Sequence, residues 1–424
     1  MKKWKVSVKR LCVLFFSLFF FNLAYSASIG AQADAKNAPS NSLTDAILNG
    51  NAYLKFRLRY ENADQDNSLK DANALTLRSL LGYQTGVYKG FAAVIEFSNV
   101  SALIDNYNSG GVDSSPNDTS YTAIGDPKAT VLNQAYVTYN GLSWASFKVG
   151  RQVIILDNAR FVGNVGFRQT EQRYDAAAVT FHPLENLDLY YAYVWQVNRV
   201  FGPDAISPRD KFESNSHFIN LSWRVSDHMT VTPYTYLIDN RNASSTSNDT
   251  FGLSVTGDYP LSSRLSGLYR AEYAHQIDAF NNETDYSANY YHLMAGLRGH
   301  VVEGKVGYEV LGDGALGFQT PYATLHKFNG WADVFLLTPT DGLRDVYGTL
   351  SATIDRWNIK PLITVHYFET ETNTAHLGNE IDFGVSKKIN QYFSLCLEYA
   401  NFFDAQSIYV NTQKVWLTAS ANFA

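Results

Sequence analysis

Polar and apolar residues alternate one by one along most of the chain. In Leu54-Lys55-Phe56-Arg57-Leu58-Arg59-Tyr60-Glu61 one face carries only Leu, Phe and Tyr and the other only charges, the period of two expected of a half-buried strand. Phe91, Ala93, Ile95 and Phe97 oppose Ala92, Val94, Glu96 and Ser98, and Ile219, Leu221, Trp223 and Val225 oppose Asn220, Ser222 and Arg224. Tyr269, Ala271 and Tyr273 oppose Arg270 and Glu272, and Phe393, Leu395, Leu397 and Tyr399 oppose Ser394, Cys396, Glu398 and Ala400, which puts the thiol on the polar side. The pattern predicts strands near 52–61, 74–85, 90–99, 131–140, 144–153, 173–181, 187–197, 216–225, 229–238, 250–258, 265–276, 288–299, 304–312, 342–354, 358–369, 379–388, 392–401 and 414–423. These are eighteen. Sixteen is the alternative count, because weak segments such as 229–238 carry a residue like Pro233 where a closed ladder wants a donor.

A soluble sheet that alternates in this way needs a second layer over its apolar face, whereas in a membrane barrel lipid covers that face and the polar side looks into the lumen. The connections decide between the two. Short ones such as 86–89, 140–143, 182–186, 226–228, 355–357 and 388–391 take turns with long ones near 100–130, 154–172, 198–215, 239–249, 277–287 and 313–341. Up-and-down membrane barrels have short periplasmic turns and long outer loops. The expected fold is therefore all-β, an antiparallel up-and-down transmembrane β-barrel over residues 50–424.

The N-terminus agrees. Lys2, Lys3, Lys5, Lys9 and Arg10 precede the apolar stretch Leu11 to Leu23 and then Ala24-Tyr25-Ser26, a stretch too short to span a bilayer as a helix and followed by the small residues of a cleavable secretory signal. Residues 1–26 read as signal peptide and 27–49 as a flexible leader. With the five basic residues of the signal removed, 29 basic residues face 40 acidic ones and the net charge moves from -6 to about -11, so nucleic acid is not an expected partner. Only Cys396 remains of the two cysteines, which leaves no intramolecular disulfide. Many of the 28 tyrosines, such as Tyr60, Tyr83, Tyr139 and Tyr399, fall at predicted strand ends, where an amphipathic ring suits the membrane interface.

The densest motif runs from Gly150-Arg151-Gln152 through Asp157-Asn158-Ala159-Arg160 and Gly166-Phe167-Arg168-Gln169 to Gln172-Arg173-Tyr174-Asp175. With Leu132-Asn133-Gln134-Ala135-Tyr136, Asp105-Asn106-Tyr107-Asn108, Tyr191-Ala192-Tyr193-Val194, Asn198-Arg199-Val200-Phe201-Gly202 and Phe318-Gln319-Thr320-Pro321-Tyr322 through Asp333, it resembles the alginate export family of bacterial outer-membrane porins. The last strand, from Val415 to Phe423, also resembles the C-terminal targeting strand of such proteins, although Ala424 follows the aromatic residue. The resemblance implies a monomeric 18-stranded barrel whose electropositive lumen passes an anionic polyuronate.

The chemistry of such a lumen is that of a charged ring, attracting carboxylates without holding any one of them for long. Arginine suits it because its planar fork takes a carboxylate bidentately and keeps its charge. Candidate pore-lining and substrate-contacting residues are Arg57, Arg59, Arg78, Lys148, Arg151, Arg160, Arg168, Arg173, Arg270 and Arg298, with Lys55 and Lys305 beside them. Glu61, Glu96, Glu272, Glu309, Glu380, Asp382 and Glu398 share the same polar faces, so a structural alternative holds for each cation: pairing across the wall. The expected partners are outer-membrane lipid and an anionic sugar or small anionic solute, with no cofactor and no metal. The late turns, as at 387–391, are too short for the periplasmic loop expected of a dedicated alginate exporter, so a general diffusion porin fits the sequence equally. A barrel-embedded hydrolase is the alternative from another class. His326 and His366 are its strongest candidates, yet no nucleophile motif accompanies them.

Overall fold

The computed structural model describes residues 40–111, 113–406 and 408–423. The strands are β1 (Asn51–Gln65), β2 (Ala72–Gln84), β3 (Phe91–Asn106), β4 (Ala129–Tyr139), β5 (Ala145–Gln152), β6 (Arg173–Leu184), β7 (Leu187–Asn198), β8 (Lys211–Ser226) and β9 (Met229–Ile238). They continue as β10 (Asn248–Ser262), β11 (Leu265–Asp278), β12 (Ser287–Arg298), β13 (Val302–Leu311), β14 (Leu343–Ala352), β15 (Ile359–Glu369), β16 (His376–Lys388), β17 (Phe393–Phe403) and β18 (Thr412–Phe423). Each pairs antiparallel with its neighbours in the chain, and β1 closes on β18 from Leu54↔Phe423 to Gln65↔Thr412. Closure removes every sheet edge, which is what allows strands to cross a bilayer with all backbone groups paired.

The eighteen predicted segments are the eighteen strands. Several run further at their outer ends than alternation suggested: β1 continues to Gln65, β3 to Asn106, and β8 begins at Lys211. Beyond the bilayer both faces of a strand are wet, so the apolar signal stops where the lipid stops. Pro233 is accommodated where β8–β9 pairing lapses, between Asn220↔Tyr234 and Trp223↔Val231.

The outward rows carry exposed apolar residues such as Leu81, Phe97, Val149, Leu293, Val306 and Leu350, a belt that only lipid can cover. The other rows face inward, and two long connections fold in to meet them: 153–172 between β5 and β6, and 312–342 between β13 and β14. The two touch each other. Gly163 donates its N–H to the Tyr322 carbonyl at 2.9 Å, and Thr324 donates to the Ala159 carbonyl at 3.0 Å. Phe161 packs its ring among Tyr234, Tyr290 and Phe318, with centroids 5.3, 5.2 and 5.8 Å away. Buried Tyr322 packs edge-on to Tyr174 and close to Phe218. A second share of the aromatic residues thus forms a core inside the barrel, in addition to the rings at strand ends.

At the periplasmic rim a short helix, α1 (Leu43–Leu48), is capped by Ser42, whose hydroxyl accepts from the Asp45 N–H at 3.0 Å. It is held by Tyr83, whose hydroxyl donates to the Ile47 carbonyl, and by the Gly86 N–H on the Ala46 carbonyl at 2.8 Å. The last residues of the segment read as a leader are therefore helical. Positions 27–39 and the signal at 1–26 lie outside the described residues.

Candidate functional site

Three arginines of the β1–β2 wall reach toward the tip of the first infolded loop. Arg57 and Arg78 stand directly opposite each other across the strand pair, an arrangement of like charges that is unfavourable unless other partners take them up. The loop provides those partners. Arg57 donates from Nε to Gln169 Oε1 at 2.8 Å, from Nη1 to the Gly166 carbonyl at 2.8 Å, and from Nη2 to the Arg168 carbonyl. Arg59 donates from Nη1 to the Phe167 carbonyl at 2.5 Å and from Nε to Thr418 Oγ1 at 3.2 Å, with its guanidinium 4.3 Å from the Phe167 ring centroid. Arg78 forms an ion pair with Glu171 at 2.5 Å. Arg78 is thus neutralised by a carboxylate, whereas these hydrogen bonds of Arg57 and Arg59 all go to uncharged acceptors.

The loop's own arginines reach in the opposite sense, from loop to wall. Arg168 contacts Glu61 of β1 at 3.0 Å and Asp333 of the second infolded loop at 2.9 Å. Lys414 of β18 and the His326 ring also hold Asp333, at 3.2 and 2.9 Å. Burial disfavours the charge of Asp333, yet Lys414, His326 and Arg168 together keep its carboxyl well below the usual carboxylate range. Glu171 behaves alike: burial raises its pKa, and the guanidinium of Arg78 outweighs burial and lowers it. Arg160 is 1% exposed and is in ion-pair contact with Glu309 of β13 at 2.7 Å, while its Nη2 donates to Asn329 at 2.9 Å.

Acids of the β13–β16 wall grip the second loop. Asn329 Nδ2 donates to Glu309 at 2.8 Å and to Asp345 at 3.2 Å, and the Ala332 N–H donates to Glu380 at 2.7 Å. Gly330 has φ +86, and a Cβ there would lie 2.3 Å from Glu380, so the backbone passes the carboxylate only as glycine. His366 stands between Asp345, 2.9 Å from its Nδ1, and Asp382, 3.6 Å from its Nε2. His326 lies stacked on Phe167, with ring centroids 3.4 Å apart. The lumen therefore has arginines on the β1–β2 wall and carboxylates on the β13–β16 wall, with two loops suspended between them.

The structure divides the sequence-predicted residues into groups. Arg57, Arg59, Arg78, Arg160 and Arg168 meet at the infolded loop, but as its fastenings, and Arg160 is too enclosed to line an open passage. Lys148 lies on the lumen row, its Nζ 4.7 Å from the Tyr136 ring centroid, and Lys55 is exposed on the row of Arg57. Arg270 forms an ion pair with Glu272 at 2.5 Å, and Arg298, half exposed at the periplasmic end, forms one with Glu303 at 2.6 Å.

Arg151 and Arg173 correct the expectation. Arg151 pairs across the sheet with Ala135 and Asp175, in the row of exposed Val137 and Val149, and Arg173 pairs with Asn198 in that same outward row. Strand parity thus places both on the outward row, not on the lumen row where they were expected. Lys148 and Arg151 stand three apart on one strand and so take opposite faces. Sequence reading also missed Gln169, Tyr322, Asn329 and Lys414. The first three lie in motifs already noticed, but nothing local discloses contacts made between separate strands and loops.

The family model for alginate export matches residues 52–309. No curated protein sequence matches the chain. Among solved structures, OccAB3 of Acinetobacter baumannii superimposes with a TM-score of 0.70 at 13% identity, covering 89% of this chain and 100% of that one. OccAB2 of the same organism gives 0.67 at 15%, covering 90% and 100%. OpdK of Pseudomonas aeruginosa, solved with vanillate, gives 0.66 at 11%, covering 89% and 99%. These are outer-membrane porins and share the barrel. With a closed eighteen-stranded sheet, an outward apolar belt and a family match over more than half its length, the chain is a channel protein of the bacterial outer membrane and belongs to the alginate export family.

Proposed function

We propose that the channel conducts anionic solutes passively, uronate oligomers such as those of alginate among them, one barrel serving as one channel. The observation that carries this reading is half-buried Arg57, held at the infolded loop by uncharged acceptors, with exposed Lys55 on the same row and the charge of buried Arg59 behind it. Positive charges along a lumen row raise the local concentration of anions, and moderate, distributed attraction lets a solute leave as well as enter. Lys148 adds to the field from β5, while Arg78, Arg270 and Arg298 contribute less because each is paired with a carboxylate. Arg160 and Arg168 act through the loop they fasten. The likeness to a barrel solved with vanillate, an aromatic carboxylate, is in keeping with small anions as cargo. Among the described residues the periplasmic turns are short, as between β16 and β17, which favours an ungated route.

Reversal potentials in planar bilayers under a salt gradient test the proposal. The expected result is anion preference in the wild type, reduced in Lys55→Gln and further in Lys55→Gln/Arg57→Gln. Cation preference in the wild type, or selectivity indifferent to both variants, would refute it. Liposome swelling with oligouronates against neutral oligosaccharides of equal size separates acidic-sugar passage from general diffusion.

A further inference from the structure

On β5, β6 and β7 the outward row changes character as it leaves the bilayer. Val137 and Val149 are 49% and 52% exposed, and the next step outward on the Val149 row holds Arg151 facing Asp175. Gln196 faces Asp175 in turn, and one step further Arg173 faces Asn198, which faces Lys211 of β8. Trp195 bulges out of β7 at this boundary, its ring centroid 6.2 Å from that of Tyr193. Such amphipathic rings belong at the level where acyl chains give way to headgroups.

Immediately beyond them lies a cavity of about 350 Å³, lined by Arg151, Arg173, Asn198, Asp210 and Lys211 among others. Arg151 is taken up by Asp175, through Nε at 2.7 Å and Nη2 at 2.8 Å. Arg173 is taken up less fully. It is 3% exposed, and its Nε and Nη1 have no acceptor, the Nδ2 of Asn198 has none either, and Asp210 Oδ1 has no donor. Buried donors on a charged group are costly to leave unmet, and here several converge on one hollow.

We propose that this cavity binds the phosphorylated sugar headgroup of an outer-leaflet glycolipid. The phosphate accepts from Arg173 and Asn198, with Lys211 adding charge, and a sugar hydroxyl donates to Asp210. The acyl chains lie along the apolar row below. A phosphate oxyanion suits the arginine fork, and basic pockets at the membrane surface recognise anionic headgroups in this way. Asp210 would repel a bare phosphate, which favours a ligand that brings hydroxyl donors beside its anionic group. By strand register the site belongs to the outward row, distinct from the row of Lys55 and Arg57 on which the channel reading rests.

Binding to the purified full chain in detergent is measured by native mass spectrometry with deep-rough lipopolysaccharide, its dephosphorylated form, and inorganic phosphate. The expected order is phosphorylated glycolipid first, with Arg173→Gln reducing retention about tenfold, the worth of one charge-assisted contact. Lys211→Gln should reduce it less, and Lys360→Gln at the periplasmic end not at all. If Arg173→Gln fails to fold, Lys211→Gln and Asn198→Ala carry the test. Equal retention of the dephosphorylated form overturns the proposal, as does retention indifferent to these variants, or inorganic phosphate bound as tightly as the glycolipid. Arg173→Gln should keep the wild-type reversal potential. A shift there would place the residue in the lumen and overturn the site, while a wild type lacking anion preference would refute only the channel proposal.

Discussion

Replacing Arg168 by glutamine separates the two roles open to the loop arginines. If Arg168 lined the pore, Arg168→Gln would change ion selectivity and little else. The structure assigns it a fastening role, with a side chain 11% exposed, ion-paired to Glu61 and Asp333, themselves 1% and 4% exposed. Removing one partner of a buried pair leaves an uncompensated charge, at a cost of about 3–5 kcal/mol. Asp333 retains Lys414 and His326, so the loss falls chiefly on Glu61 and the lower end, about 3 kcal/mol, applies. That is a factor of roughly 10² in favour of the undocked loop. Single-channel recording should then show larger and noisier conductance in Arg168→Gln, with selectivity changed far less. Glu61→Gln, which leaves Arg168 its contact with Asp333, should be milder, and the double variant should be less than additive because both break one contact. Wild-type conductance and noise combined with a clear shift toward cations would refute the fastening role.

Two further outcomes are expected. The folded structure lowers the pKa of Glu171, so its stabilisation of the loop is complete above the unfolded value of about 4.3 and fades as pH falls toward the lower folded value. Limited proteolysis of the loop should therefore be constant from pH 7 to 5 and rise only in stronger acid, and a rise beginning near pH 6 would contradict the assignment. Gly150 has φ +127, and a Cβ there would lie 2.2 Å from the Ala135 carbonyl oxygen. Gly150→Ala should lower the denaturation midpoint by an amount worth at least about 1–2 kcal/mol, from the backbone conformation alone, and an unchanged midpoint would count against this β4–β5 geometry.

Alternation and the rhythm of loop lengths determined the barrel and, for most strand residues, the side they face, because lipid and water impose a period of two on every strand that crosses them; closure decided for eighteen strands over sixteen. Parity along β5 even carries the correction for Arg151, three residues from Lys148. The interior was not determined in this way. Whether an arginine lines a passage or ties down a loop depends on who meets it: Arg160 meets Glu309, and Arg168 meets Glu61 and Asp333, partners that lie more than a hundred residues away along the chain. Those meetings exist only once two long connections have folded into a closed sheet. A residue's face is local, set by neighbours one and two positions away, and so it can be read from the sequence; its partner is set by the closure of the whole barrel, and only the tertiary structure decides it.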